Sequence, residues 1–258
     1  MIEVDPDIRL LLAPNPGPMT LDGTNTWILG RPGGPSVVVD PGPRHEDHLR
    51  AVRSAAGEVA VTVLTHRHAD HSEGLPRFAE LTGAGVRAAD PAYAITTDGC
   101  DGQLPDGSLI EGTTLDIRAL ATPGHTSDST SLLVTGERGR WLLTGDMVLG
   151  RGTTVITHPD GDLGAYLDSL ERLLAVVTEH QVGAILPGHG PVVNDPGRLL
   201  RFYREHRLER LEQVREALRL GDETAGQIVA RVYAEVDRSL WPAAEQSVRA
   251  QLEYLRAR

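Results

Sequence analysis

The sequence predicts an α/β fold followed by a helical C-terminal part, and three observations carry that expectation. Short, β-rich apolar runs alternate with helix-period segments over roughly the first 190 residues. From Arg198 onward the apolar period is helical only. Four of the apolar runs are each followed at once by histidine or aspartate, as expected where the strand ends of an α/β sheet converge on a site.

Asn25–Gly30 and Ser36–Asp40 are separated by the turn RPGGP and read as a hairpin. Glu46–Gly57 has helical spacing and ends at a glycine. Val59–Thr65 reads as a strand, and Ser72–Gly83 as a helix with Pro76 near its first turn. Leu115–Thr122, Ser129–Gly136, Arg140–Gly145 and Val182–Gly188 read as further strands. Leu163–Gln181 is a helix, with Leu163, Tyr166, Leu167, Leu170, Leu173 and Leu174 on its apolar face. Three helical segments close the chain, with Leu208, Leu211, Val214 and Leu218 as one stripe and Val248, Leu252 and Leu255 as another. These changes of pattern give two expected domains, 1–195 and 196–258.

Bulk properties narrow the function classes. A chain of 258 residues suits one large α/β domain with a small appended one. No apolar stretch approaches the roughly 20 residues of a membrane helix. The N-terminus MIEVDPDIRL is acidic where a secretory signal is basic. The expectation is a soluble, cytoplasmic protein without a membrane partner. The formal charge of −11 argues against a protein that coats nucleic acid. All 25 basic residues are arginine, which removes any mechanism based on a lysine nucleophile or a P-loop lysine. The single cysteine, Cys100, lies in a polar loop with nothing nearby to activate it and reads as incidental.

The segment THRHADH places His66, His68, Asp70 and His71 directly after the run VTVL. His125 follows IRALATPG, Asp146 follows RWLLTG, and His189 follows AILPG. Neutral histidine and aspartate are costly near a core unless something binds them. Five histidines and two aspartates suit two metal ions. His66 and His68, two apart in an extended segment, face one side and with His125 make a three-histidine zinc set with an open position for water. Asp70, His71 and His189 make a second set, with Asp146 between the two. A water shared by two such ions is acidified and can attack an electrophile. His45, His48, His158, His180 and His206 read as surface residues. Asp40 ends a strand and reads as support for a ligand histidine. Thr24 and Asn25 read as loop-ordering, Tyr166 as core and Arg151 as exposed.

The motifs THRHADH, TPGHT, LLTGD and PGHG resemble those of the metallo-β-lactamase superfamily over about Asn15 to Asp195. Asn15–Gly30, Gly150–Leu173 and Pro187–Pro196 are similar to the β-lactamase-like protein 2 subgroup. The resemblance implies an αββα sandwich with a winged-helix-like C-terminal domain, although no strands of a wing are evident before Arg258. It implies that His66, His68 and His125 hold one metal, that Asp70, His71 and His189 hold another, and that Asp146 bridges them. True β-lactamases of this fold carry cysteine or serine in place of the bridging carboxylate, so Asp146 argues against an antibiotic-degrading enzyme. The interval from Asp146 to His189 is too short for the extra domain of the large nucleases.

What the resemblance implies for function is a two-zinc hydrolase with a bridging water as nucleophile, Asp70 orienting that water or taking its proton, and Asp146 balancing the two dications. The subgroup points first to an endoribonuclease of single-stranded RNA. Relatives in polyketide pathways and the glyoxalase II group point to hydrolysis of acyl thioesters, with a small-molecule acyl substrate. Glyoxalase II, however, holds glutathione with basic residues, often lysine. An iron persulfide dioxygenase, using one iron on two histidines and an aspartate, is a third expectation. A degenerate binding module is opposed by the complete set of seven ligand residues. A homodimer is compatible with the subgroup. The arginine-rich RLLRFYREHRLER reads as a solvated helix surface, because acidic residues interleave it.

Overall fold

A computed structural model describes residues 1–257 of the chain. The first sheet holds β1 (Ile2–Asp5), β2 (Ile8–Leu12), β3 (Asn25–Leu29), β4 (Ser36–Val39), β5 (Val59–Val63) and β6 (Val86–Arg87), in that spatial order. β1 to β4 run antiparallel, and β5 and β6 join in parallel. The parallel joins need crossovers. These carry α1 (Glu46–Ala56) and, after β5, α2 (Ala69–Ser72) and α3 (Leu75–Thr82). The second sheet holds β7 (Asp116–Ala121), β8 (Thr130–Gly136), β9 (Gly139–Gly145) and β10 (Ala184–Pro187), in the order β10-β9-β8-β7. α4 (Leu163–His180) is the crossover from β9 to its parallel neighbour β10.

Side-chain alternation explains how two sheets and their helices stack. Trp27, Leu29, Val37, Val39 and Val63 face inward and meet Ile117, Ala119, Leu132, Val134, Leu143 and Leu186 of the second sheet. Ile28 and Val38, the residues between, face outward onto Leu49, Val52 and Phe78 of α1 and α3. On the other side Leu133, Leu142 and Ile185 face Tyr166, Leu170 and Leu173 of α4. Both faces of each sheet are therefore covered, which is why the strands read as continuous apolar runs instead of alternating ones. The result is the expected αββα sandwich.

Three helices complete the described chain: α5 (Pro196–Arg219), α6 (Ala225–Val232) and α7 (Trp241–Arg256). Asp195 caps α5 by accepting from Arg198 N, and Thr224 and Gln227 form a capping box on α6. The first two-thirds of α5 adds Leu200, Tyr203 and Leu211 to the core under α4. Its far end makes a separate core from Val214, Ala217, Ile228, Val229 and Val248. Among the described residues no strand follows β10.

Several expectations need correction. β1, β2 and β6 lie outside the strands expected from the sequence. The expected helix Ser72–Gly83 begins later, as α3 at Leu75, and a separate short helix, α2, precedes it. Gly74 sits at the break because a Cβ there would lie 2.7 Å from Gly42 O and 2.9 Å from Leu49 Cδ2. Pro76 lacks an N–H and so belongs in the first turn of a new helix. The α5 stripe is also shifted: Leu208 and Leu218 are exposed, and the buried line runs Leu200, Tyr203, Arg207, Leu211, Val214. His48 is not a surface residue. It is buried on α1, its Nε2 3.0 Å from Thr26 Oγ1.

Candidate metal centre

The two sheets end together, and their loops meet at one edge. The β5 loop brings His66, His68, Asp70 and His71; the loops after β7, β9 and β10 bring His125, Asp146 and His189. His66, His68 and His125 have ligand atoms within 4.8 Å of one another, as do Asp70, His71 and His189, and His66, His71 and Asp146. All seven residues named from the sequence thus lie in one cluster of overlapping groups.

Hydrogen bonds at the outer nitrogens set how the imidazoles face. Asp40 Oδ2 accepts from Thr65 Oγ1 at 2.7 Å and lies 2.8 Å from His71 Nδ1. The Thr65 hydroxyl proton is thus engaged by Asp40, so Oγ1 can only accept from His66 Nδ1, 3.1 Å away. His125 Nδ1 lies 2.6 Å from Val155 O, and His189 Nδ1 lies 3.0 Å from Gly23 O. A carboxylate or a carbonyl can only accept, so each of these four Nδ1 atoms carries a proton and each Nε2 points inward. His68 offers Nδ1 instead, 3.1 Å from His66 Nε2 and 3.0 Å from His125 Nε2. Arg67, between the two histidines, points the opposite way. It lies 3.1 Å from Asp128 and 3.5 Å from both Asp90 and Asp160, tying loops of both sheets together.

The donor set fits metal ions. Two nitrogens bound to one tetrahedral zinc are roughly 3.3 Å apart. His71 Nε2 and His189 Nε2 stand 3.2 Å apart, close to that spacing, as are the contacts of His68. Asp146 is buried, and its Oδ1 has no hydrogen-bond partner. Such an atom is costly unless it meets a cation. Its Oδ2 lies 4.0 Å from His66 Nε2, 3.8 Å from His125 Nε2 and 3.4 Å from His189 Nε2, and Oδ1 is 3.5 Å from His71 Nε2. This carboxylate faces both histidine groups.

Protonation divides the cluster. Burial, with the neighbouring imidazole of His71, holds His66 well below its ordinary value, and burial brings His125 down to about 4. These rings are neutral, with lone pairs free. Burial also acts downward on His71 and His189, but Asp70 and Asp146 outweigh it; His71 rises well above its ordinary value and His189 to about 9. Burial acts upward on both aspartates and is outweighed by those histidines, so both are held low. The Asp70 side therefore attracts positive charge, whereas the His68 side offers neutral donors.

Neighbouring residues read from the sequence take definite places. Thr24 Oγ1 donates to Asp70 Oδ2 at 3.1 Å, and Asn25 Nδ2 donates to Pro187 O and Gly190 O, holding the His189 loop. Asp40 supports His71 as expected. Tyr166 is core, its hydroxyl donating to Met147 O. Arg151 is exposed and paired with Asp22. Cys100 is half-buried and remote from the cluster. Arg207 and Arg210, read from the sequence as solvated surface, line a cleft beside His125 and Asp146. The missed signal was a charged residue at position 207 within the apolar line Leu200, Tyr203, Leu211, Val214 of α5.

Comparison with known proteins agrees with this architecture. Residues 19–189 match the model of the metallo-beta-lactamase superfamily, and residues 224–258 match the beta-lactamase associated winged helix domain. The chain is 33% identical to a beta-lactamase-like protein 2 homolog of Caenorhabditis elegans, covering 96% of this chain and 83% of that one. It is 33% identical to an atrochrysone carboxyl ACP thioesterase of Aspergillus chevalieri, covering 84% and 67%. A solved metallo-beta-lactamase family protein from Thermus thermophilus superposes with a TM-score of 0.80 over 99% of this chain and 95% of its own, at 20% identity.

Proposed function

From the fact that the chain belongs to the metallo-beta-lactamase superfamily, we propose that it is a dinuclear zinc hydrolase acting on small acyl thioesters or esters. The observation that carries this reading is a cleft of about 340 Å³ that opens onto His125 and Asp146. Leu149, Val155, Met19 and Leu21 line it, together with Tyr233, Val236 and Leu240 of the C-terminal part. Its size and apolar lining suit a small organic acyl group. The thioesterase name of a relative that is 33% identical supports the same choice.

His66, His68 and His125 would hold one zinc ion and Asp70, His71 and His189 the other, with Asp146 shared. Zinc, when bound, supplies Lewis acidity toward water and toward a carbonyl oxygen. The chain's own groups do the rest. The apolar walls hold the acyl chain and exclude bulk water. Asp70, kept in place by Thr24, orients a water. In thioester hydrolysis the acyl C–S bond breaks and a C–O bond forms from water. One water proton ends on the thiol and the other on the acid product.

Single-stranded RNA is the second reading, and the sequence placed it first. The guanidinium groups of Arg207 and Arg210 in the cleft favour it. The walls otherwise lack the basic and aromatic track that RNA uses. The test incubates zinc-loaded protein with a benzoyl thioester of N-acetylcysteamine and, separately, with labelled single-stranded RNA. Thiol release that falls roughly 100-fold or more in Asp146→Asn is expected. RNA cleavage without thiol release would overturn the thioester reading. One iron per chain in place of zinc would move the assignment to the dioxygenase.

A further inference from the structure

The cleft has an electrostatic feature that its apolar walls do not explain. The chain carries 36 acidic residues against 25 arginines, yet Asp146 is the only carboxylate among the described residues lining the cleft. Three arginines line it. Arg151 is neutralised by both oxygens of Asp22, at 2.6 and 2.9 Å. Arg207 and Arg210 have no carboxylate within ion-pair distance among the described residues, while arginines further along the same helix, Arg215 and Arg219, pair with Glu212 and Glu216.

Arg207 is 5% exposed. One of its terminal nitrogens donates to Thr154 O, its guanidinium lies 5.2 Å from the Tyr166 ring centre, and its Nε has no partner. Arg210 donates to Gln213 Oε1 at 2.7 Å and lies 4.9 Å from the Tyr233 ring centre. The two are three apart on α5 and so project from one face. Beside them His206 Nδ1 is buried without a partner. Taking a guanidinium out of water without an anion is costly, and the two arginines are held by carbonyls, an amide and rings instead. A charge kept in that state at the wall of a ligand cleft matches an anion brought by the ligand.

We infer that Arg207 and Arg210 form an anion subsite that holds a carboxylate or phosphate group carried by a small acyl substrate. The inference rests on the acyl-hydrolase reading for the rest of the substrate. The scissile carbonyl lies toward His125 and Asp146, the acyl chain against the apolar walls, and the anionic group beneath α5. A neutral acyl group of the same length fills the same walls but leaves the guanidinium groups unpaired. A free anion lacks the apolar contacts. The subsite therefore selects a bifunctional molecule.

The test measures binding by calorimetry, so that it does not depend on turnover. The probes are non-hydrolysable amide analogues of one acyl thioester, ending in a carboxylate, a phosphate or a neutral carboxamide. The native protein is expected to bind an anionic analogue at least about tenfold more tightly than the carboxamide, a preference of roughly 1.4 kcal/mol. Whether carboxylate or phosphate binds better identifies the source of the anion. In Arg210→Gln the ratio of affinities should fall toward one, and in Arg210→Glu it should invert. Arg207 also supports Thr154, so Arg210 is the cleaner probe, and circular dichroism confirms that its variants fold. Equal binding of anionic and neutral analogues by the native protein would overturn the subsite. So would a preference that survives in Arg210→Glu. A short RNA that binds more tightly than every analogue and loses affinity in Arg210→Gln would overturn the small-molecule assignment. Anion preference without hydrolysis of the parent thioester would keep the subsite and reject the acyl-hydrolase reading.

Discussion

At the scale of single residues, the centre depends on groups that do not themselves face the ligand position. Asp40 is the clearest case. Its backbone is left-handed, with φ of 52°, and its carboxylate receives Thr65 N, Thr65 Oγ1 and His71 Nδ1. Asparagine would place an NH2 group against at least one of these donors. We expect Asp40→Asn to weaken zinc binding by roughly 10–100-fold, measured by competition with a chelator, because His71 loses its fixed tautomer. Native zinc affinity in that variant would mean that Asp40 only shapes the turn. His48 supports a prediction about pH. It is 6% exposed, and burial, with His45 adding to it, takes it from 6.5 to about 4. As pH falls, the unfolded chain gains this proton near 6.5, whereas the folded chain resists it until about 4. The stability tied to neutral His48 is thus complete above 6.5 and is lost between 6.5 and 4. Its size is about 3 kcal/mol. Urea unfolding at pH 7 and pH 4.5 should show a smaller loss in His48→Gln than in the native protein. Equal losses would count against it.

At the scale of elements, the sequence was most legible where a donor follows an apolar strand without a gap. His66, His125, Asp146 and His189 could be placed on one edge because each strand is a short continuous run and each ligand lies just past its end. Legibility failed where an element's face is decided by a partner far along the chain. The period of α5 is clear, but only the packing of α4 beneath it decides that Arg207 is buried and Leu208 exposed. β1 pairs with β2 and β2 with β3, and nothing local separates these strands from the loop before Asn25. Glycines behave in the same way. Gly188 was visible as part of PGHG, but its purpose is spatial. A Cβ there would lie 2.5 Å from Asp146 Oδ1 and 2.8 Å from His71 Cε1. Its backbone also bonds Asn25 N and Gly145 O, so the loop cannot retreat. Gly188→Ala should therefore displace Asp146 and lower bound metal while leaving the far-ultraviolet dichroism native. Two tightly held ions per chain in Gly188→Ala would show that the loop yields and that the close approach is incidental.

At the scale of the whole molecule, the centre is also a clasp between the two sheets. One sheet supplies His66, His68, Asp70 and His71, and the other supplies His125, Asp146 and His189. Asp40 lies behind the first set, and the Gly23 and Val155 carbonyls steady His189 and His125 from loops on either side. Between the sheets the contact is apolar and continuous, but at this edge it consists of inward-facing nitrogens and the unpartnered Asp146 Oδ1. Without a cation the neutral rings of His66, His68 and His125 set lone pair against lone pair, and the buried Asp146 carboxylate has lost solvent without a partner for Oδ1. Metal binding should therefore stabilise the fold as a whole and not only a loop. A ligand that binds only the folded chain, present at 1,000 times its dissociation constant, adds about 4 kcal/mol. In a chain of this size that raises the melting temperature by on the order of 10 °C. Scanning calorimetry of zinc-loaded and chelator-stripped protein should show that gap, and the gap should shrink in Asp146→Asn, which lacks the charge shared by both groups. If stripping left the melting temperature of the native protein unchanged within about 2 °C, the sheets would be held by their apolar core alone. The clasp would then contribute chemistry but no stability.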